Sequence, residues 1–151
     1  MPPATPSVSV IFEFPIRIYY EDTDAAGVVF YANYLKFFER ARTEWLRSAG
    51  VSQERAARDW GVVFVVRHTA IDYLAPARLD DGLVVRTRLV RLGQVSIEFH
   101  QEARRVPELG ASSPRSGAEL LARGSIKVGC VNRETLRPEK IPALVRGALQ
   151  L

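Results

Sequence analysis

The spacing of hydrophobic positions changes character twice along the chain. Residues 14–20 (FPIRIYY) alternate well enough to predict a first strand. From 34 to 49 the apolar residues fall at 34, 35, 37, 38, 41, 45, 46 and 49, the 3.6-residue period of a helix with a broad apolar face. Asn33 is placed to cap that helix, and Gly50 to close it in the left-handed conformation. A helix apolar over so wide an arc has to be wrapped rather than laid on a surface. Ser52 predicts the cap of a shorter helix running through residue 58. After Gly61 the texture becomes β-branched and alternating. Residues 62–74, 82–92, 94–105 and 119–131 read as strands, with Gly93 as a hairpin turn. Pro142 stands at the N1 position of a short C-terminal helix.

One strand, one long apolar helix and four long strands leave no strand–helix alternation, which argues against a doubly wound parallel sheet. The pattern implies an α+β fold in which a curved antiparallel sheet wraps a central helix at about residues 33–49. With three prolines among its first nine residues, the segment 1–12 reads as a disordered extension ahead of a single domain spanning 13–151. Residues 106–117 (VPELGASSPRSG) read as a polar loop.

Composition narrows the function classes. No apolar run approaches the ~20 residues of a membrane span, and the N-terminus lacks the basic and apolar regions of a signal peptide. The lone Cys130 excludes an internal disulfide and suits a reducing, cytoplasmic compartment; it reads as a small buried hydrophobe. Two histidines, His68 and His100, sit in strand patterns as ordinary residues, so no metal site is expected. Residues 1–77 carry 8 Lys/Arg against 9 Asp/Glu, net −1, whereas 78–151 carry 13 against 8, net +5. A basic half suits either an anionic ligand or a solvated surface. Its arginines are scattered along strands rather than gathered on one helix, so no nucleic-acid module is indicated.

The stretch YYEDTDAAGVVFYANYLKFFERAR (residues 19–42) carries the chemistry. Asp22 and Asp24 precede a loop containing Gly27 and Val28 that feeds the start of the apolar helix. A helix start presents unpaired N–H groups and partial positive charge, which suits a developing oxyanion or a polarised carbonyl. Partial burial against Val28, Val29, Phe30 and Tyr31 would move a nearby carboxyl toward a working pKa. The plainer alternative is that both aspartates satisfy loop amides as Asx-turns.

The pattern D-x-D-x-x-G-V-V-x-Y-x-x-Y followed by F-x-E-x-A-R resembles the signature of the 4-hydroxybenzoyl-CoA thioesterase family. Within that family it looks like the YbgC-type acyl-CoA thioesterases encoded beside the Tol–Pal genes. The segments DYLAPARLDD (72–81) and GCVNRETLRPEKIP (129–142) are similar in order and spacing, and the resemblance covers roughly 14–145. It implies a hot-dog fold whose domains pair into dimers by joining sheets and often again into tetramers. It also implies an acyl-CoA substrate and no cofactor of the enzyme's own. Asp24 takes the family's catalytic position, as general base or as nucleophile, and Asp22 the more structural one. The Tyr31 N–H matches the group that polarises the thioester carbonyl. Many YbgC-type proteins have histidine where this chain has Tyr31, and the F-Y-A-N-Y run is closer to the hydroxybenzoyl-type pattern.

Strand placement and charge alone nominate Arg86, Arg88, Arg91 and Lys127 for the coenzyme A phosphates. Glu39 reads as a paired structural glutamate or as a second site carboxylate. A hot-dog dehydratase is disfavoured because no histidine precedes His68. A non-catalytic thioester-binding or scaffold protein of the Tol–Pal envelope machinery is the other alternative, and Asp24 argues against it.

Overall fold

The sheet is organised around helix α1 (Asn33–Ser48), which buries Tyr34, Phe37, Phe38, Ala41, Trp45 and Leu46 along one face. The computed structural model describes residues 10–109 and 118–150. Its strands are β1 (Ile11–Arg17), β2 (Val62–Tyr73), β3 (Gly82–Leu92), β4 (Ser96–Val106) and β5 (Leu120–Asn132). They form one antiparallel sheet in the order β1-β3-β4-β5-β2. Leu83, Val85, Phe99, Leu121 and Ile126 belong to the same buried cluster as the α1 aromatics. Each such side chain contributes about 1.5–3 kcal/mol by leaving water. Helix α2 (Gln53–Trp60) is capped by Ser52, whose hydroxyl accepts from Arg55 N–H at 3.1 Å. Helix α3 (Ala143–Leu149) buries Val145, Ala148 and Leu149. This is the hot-dog arrangement that the resemblance implied. Among the described residues no helix is long and apolar enough to cross a membrane.

Three local expectations need correction. The first strand starts at Ile11 and ends at Arg17, so it takes in two residues assigned to the extension and stops short of Tyr20. Aromatic side chains made 18–20 look extended, but Asp22 Oδ2 accepts the Tyr19 N–H at 2.8 Å and draws Tyr20–Asp22 into a 3-10 turn. Asn33 does not cap α1; its Nδ2 donates instead to Asp22 O at 2.9 Å. Pro142 is the N-cap of α3 rather than its first helical residue. Residues 1–9 and 110–117, which hold most of the expected extension and polar loop, lie outside the described residues.

Each edge of the sheet has its own character. Pro15 lies in β1, an edge strand, where a missing N–H is tolerated. The other edge, β2, exposes Val65 and Val66. Beneath α1 runs a buried polar chain. Arg42 Nη1 donates to Gln101 Oε1 at 2.9 Å, and Gln101 Nε2 donates to Phe38 O at 2.9 Å and Thr87 Oγ1 at 2.8 Å. Burial pulls the Arg42 guanidinium down to about 10, against the opposing charge of Glu39. Gln101→Leu keeps the volume but strips Arg42 of its acceptor. It is expected to lower unfolding free energy by about 2 kcal/mol or more in urea titration; an unchanged midpoint would show the chain to be energetically idle.

Candidate functional site

The loop between the 3-10 turn and α1 folds back on itself. Thr23 bridges Val29, Asp24 N–H donates to Val28 O at 2.9 Å, and Gly27 N–H donates to Asp24 O at 3.0 Å. Gly27 has φ +79°, a turn geometry that a side chain would strain. Asp24 Oδ1 accepts the Ala26 N–H at 2.9 Å, so the Asx-turn left open by the sequence is present. The second carboxylate oxygen has no protein partner among the described residues, and Asp24 is exposed. The burial expected from Val28–Tyr31 is therefore not supplied within one chain: Val29 is buried, but Phe30 and Tyr31 point outward.

Asp22 plays the structural part. Its carbonyl accepts both Phe30 N–H at 2.9 Å and Asn33 Nδ2, tying the loop to the start of α1. The lead-in to the helix is tight. Asn33, Tyr34 and Leu35 N–H groups bond Phe30, Tyr31 and Ala32 carbonyls, each three residues back. The Tyr31 N–H, one residue ahead of the N-cap Ala32, has no acceptor among the described residues. Thr23–Val29 pairing brings this donor and the Asp24 carboxylate to one end of α1, on the same small loop. A carbonyl oxygen seated on the donor would be polarised, with a carboxylate from the same loop to act on its carbon.

An aromatic cleft adjoins this point. Val29, Tyr31, Tyr34, Tyr73, Leu74, Ala75 and Pro76 line a volume of about 280 Å³. Tyr73 OH donates to Tyr31 O at 3.1 Å, holding the peptide that follows the donor. Burial raises the pKa of both Tyr34 and Tyr73, so both stay protonated at neutral pH. A second, largely apolar cavity of about 150 Å³ lies between α1 and the sheet, with Glu39 and Arg42 on its polar side. Glu39 Oε1 accepts from Thr43 Oγ1 at 2.8 Å, as a structurally paired glutamate would.

The four nominated basic residues do not gather at Asp24. Thr87 faces α1 through Gln101, so its neighbours Arg86 and Arg88 lie on the opposite face of the sheet. There they flank a small pocket with Ile11, His100 and Glu102. Arg86 is about 13 Å along β3 from Gly82 by strand rise. Lys127 sits opposite Glu98 and His68, and Arg91 follows a bulge in β3. Charge counting missed the residues that do surround the loop, Tyr34, Tyr73, Ala77 and Arg78. For Tyr73, Ala77 and Arg78 the signal was the segment 72–81, similar to the family yet lacking an assigned role, and Tyr34 stood in the Y-x-x-Y part of the signature.

Comparison with known proteins fits this geometry. Residues 26–111 match the model of the thioesterase superfamily, and they include the loop's Tyr31 and all of α1. The acyl-CoA thioesterase YbgC of Haemophilus influenzae is 40% identical over 137 residues, 91% of this chain and 93% of the relative. A probable thioesterase from Bartonella henselae superposes with a TM-score of 0.75 at 32% identity, over 88% of this chain and all of that one. A 4-hydroxybenzoyl CoA thioesterase complexed with 4-hydroxybenzoyl CoA shares the fold at a TM-score of 0.80 and 20% identity, over 92% of this chain and 98% of that one. The chain belongs to the thioesterase superfamily, and within it to the YbgC-type acyl-CoA thioesterases.

Proposed function

We propose that the protein hydrolyses acyl-coenzyme A thioesters to free acid and coenzyme A, with the chemistry at the Asp24–Tyr31 loop. The observation that carries this reading is the meeting of a carboxylate and an unpaired helix-start N–H on one closed loop. The thioester carbonyl oxygen accepts from Tyr31 N–H, which stabilises the negative charge that grows there as the carbon is attacked. Asp24 then acts in one of two ways. As general base it takes a proton from water as the water adds; as nucleophile it adds directly, and water cleaves the resulting mixed anhydride. In both routes the coenzyme A thiolate leaves and takes up a proton. Water is the only co-reactant, so the reaction needs no redox partner, and in this reading Asp24 and the Tyr31 N–H act without a metal. A coenzyme A substrate fits a cytoplasmic enzyme.

The same reading includes a homodimer built on β2. Twelve residues of edge strand with Val65 and Val66 exposed form a template for a second copy. A partner there would also supply cover for the exposed side of the Asp24 loop, and dimers can pair again into tetramers. The acyl group is best sought among aliphatic and aromatic chains alike, because Tyr31, Tyr34 and Tyr73 line the cleft beside Val29 and Leu74.

Thiol release from short aliphatic, long aliphatic, benzoyl and hydroxybenzoyl coenzyme A thioesters tests the activity. Asp24→Asn is expected to cut kcat at least about 10²-fold with the melting temperature kept; turnover indifferent to Asp24 would overturn the mechanism. Val66→Lys, a charge set into the proposed seam, is expected to halve the mass seen by light scattering. An unchanged mass would place the subunit contact elsewhere.

A further inference from the structure

Beyond its own hydrogen bonds and the ties Asp22 makes to the start of α1, the Asp24 loop has a second anchor. Its outer strand leans on residues 74–81, a strap running from the end of β2 to the start of β3. Val29 N–H donates to Ala77 O at 2.8 Å, and Val28 bridges Arg78. The first of these ties ends on Ala77, which is fully buried. Whatever fixes the strap therefore helps to fix the height of the loop above α1.

The strap is pinned mainly by one side chain. Arg105, on β4, donates Nε to Asp81 Oδ2 at 3.1 Å, Nη2 to Pro76 O and Nη1 to Glu119. Asp81 Oδ2 also accepts Arg78 N–H at 2.8 Å, so one carboxylate oxygen joins the guanidinium to the residue that bridges Val28. Asp80, at φ 70°, turns the strap into β3, and its N–H and that of Ile18 exchange bonds with Ile18 O and Asp81 O at 3.0 and 2.9 Å. Leu74 and Ala75 N–H groups share Leu121 O at the other end. Pro76 O, immediately before Ala77, has Arg105 as its partner. A planar fork reaches a carbonyl and two carboxylates at once, which an ammonium cannot do with the same geometry.

We infer that Arg105, held by Asp81, is a positioning residue that sets the Asp24 loop through the 74–81 strap. It touches neither Asp24 nor Tyr31; it acts two contacts away, from Arg105 to Pro76–Arg78 to Val28–Val29. The inference rests on the proposed role of Asp24. A loop displaced by about 1 Å loses on the order of a hundredfold in rate, because the reacting groups no longer meet at bonding distance. Substrate binding, spread over the rest of the cleft, changes much less.

The test is steady-state thioester hydrolysis by the full chain, with melting temperature measured alongside. Arg105→Ala and Asp81→Asn are each expected to lower kcat about ten- to a hundredfold while KM stays within about threefold. The double variant should be no slower than the slower single one, and Arg105→Lys should recover only part of the rate. Arg104→Ala is the control. Arg104 is the next residue on β4, bonded to Glu102 and Ala118 O, and it lies off the strap; its rate should match wild type. Unchanged kcat in Asp81→Asn and Arg105→Lys would overturn the inference, as would a loss shared by Arg104→Ala or one that follows melting temperature. If Arg105→Ala does not fold, Asp81→Asn and Arg105→Lys decide the matter without it. Asp24→Asn, run in parallel, separates the two ideas. A fully active Asp24→Asn removes the catalytic reading itself, whereas an inactive one beside unaffected strap variants removes only the positioning role.

Discussion

Everything in this molecule follows from the need to hide one face of α1. Phe37, Phe38 and Ala41 are at most 1% exposed, and no flat sheet could enclose so wide an apolar arc. The sheet curves around the helix, and the helix axis becomes fixed relative to every strand. Once the body of α1 is enclosed, its start must emerge at one end of the sheet, with the Tyr31 N–H just ahead of it left without an acceptor among the described residues. The loop carrying Asp24 and the strap carrying Ala77 converge on that end. Burial thus creates a site of positive potential whose position is as rigid as the core beneath it.

The core is not uniformly apolar, and its polar part sits under the same helix. The Thr87–Gln101–Arg42 chain crosses from β3 through β4 to the middle of α1. A satisfied buried network fixes register, because a slipped strand would leave the guanidinium without an acceptor. Gly124 on β5 adds a steric version of the same constraint. A methyl group there would come within 3.0 Å of Ala70 O and 3.3 Å of the Phe38 ring. Helix and sheet are locked in one relative position beneath the Asp24 loop.

Much of this was legible in the amino-acid sequence, and the reasons differ from element to element. The α1 periodicity is strong because burial on one face dictates it residue by residue, and Gly50 and Gly61 mark helix ends through their positive φ of 87° and 65°. The Asp22–Asp24 loop was singled out by its resemblance to the family signature, since its spacing alone fitted a plain Asx-turn equally, and Asp24 makes one. What escaped was non-local. The choice of Tyr20 as turn rather than strand depends on Asp22 capturing a backbone N–H three residues back. Asn33 looked like a cap because capping is a local rule, while its true partner, Asp22 O, lies 11 residues away. Arg105 was one basic residue among many, since its three acceptors are brought together only by the fold. The phosphate pool misses the Asp24 loop for the opposite reason: charge was counted without asking which face of the strand each residue takes. By register Arg86, Arg88, Arg91 and Lys127 all lie on the face of the sheet turned away from α1.

The most direct test of the account is a crystal structure with a non-hydrolysable acyl-coenzyme A analogue bound. The account predicts the analogue's carbonyl oxygen about 3 Å from the Tyr31 nitrogen, and its carbonyl carbon within about 3.5 Å of an Asp24 oxygen or of a water held by it. A carbonyl seated beside Glu39 and Arg42 instead, with Asp24 facing solvent, would contradict it.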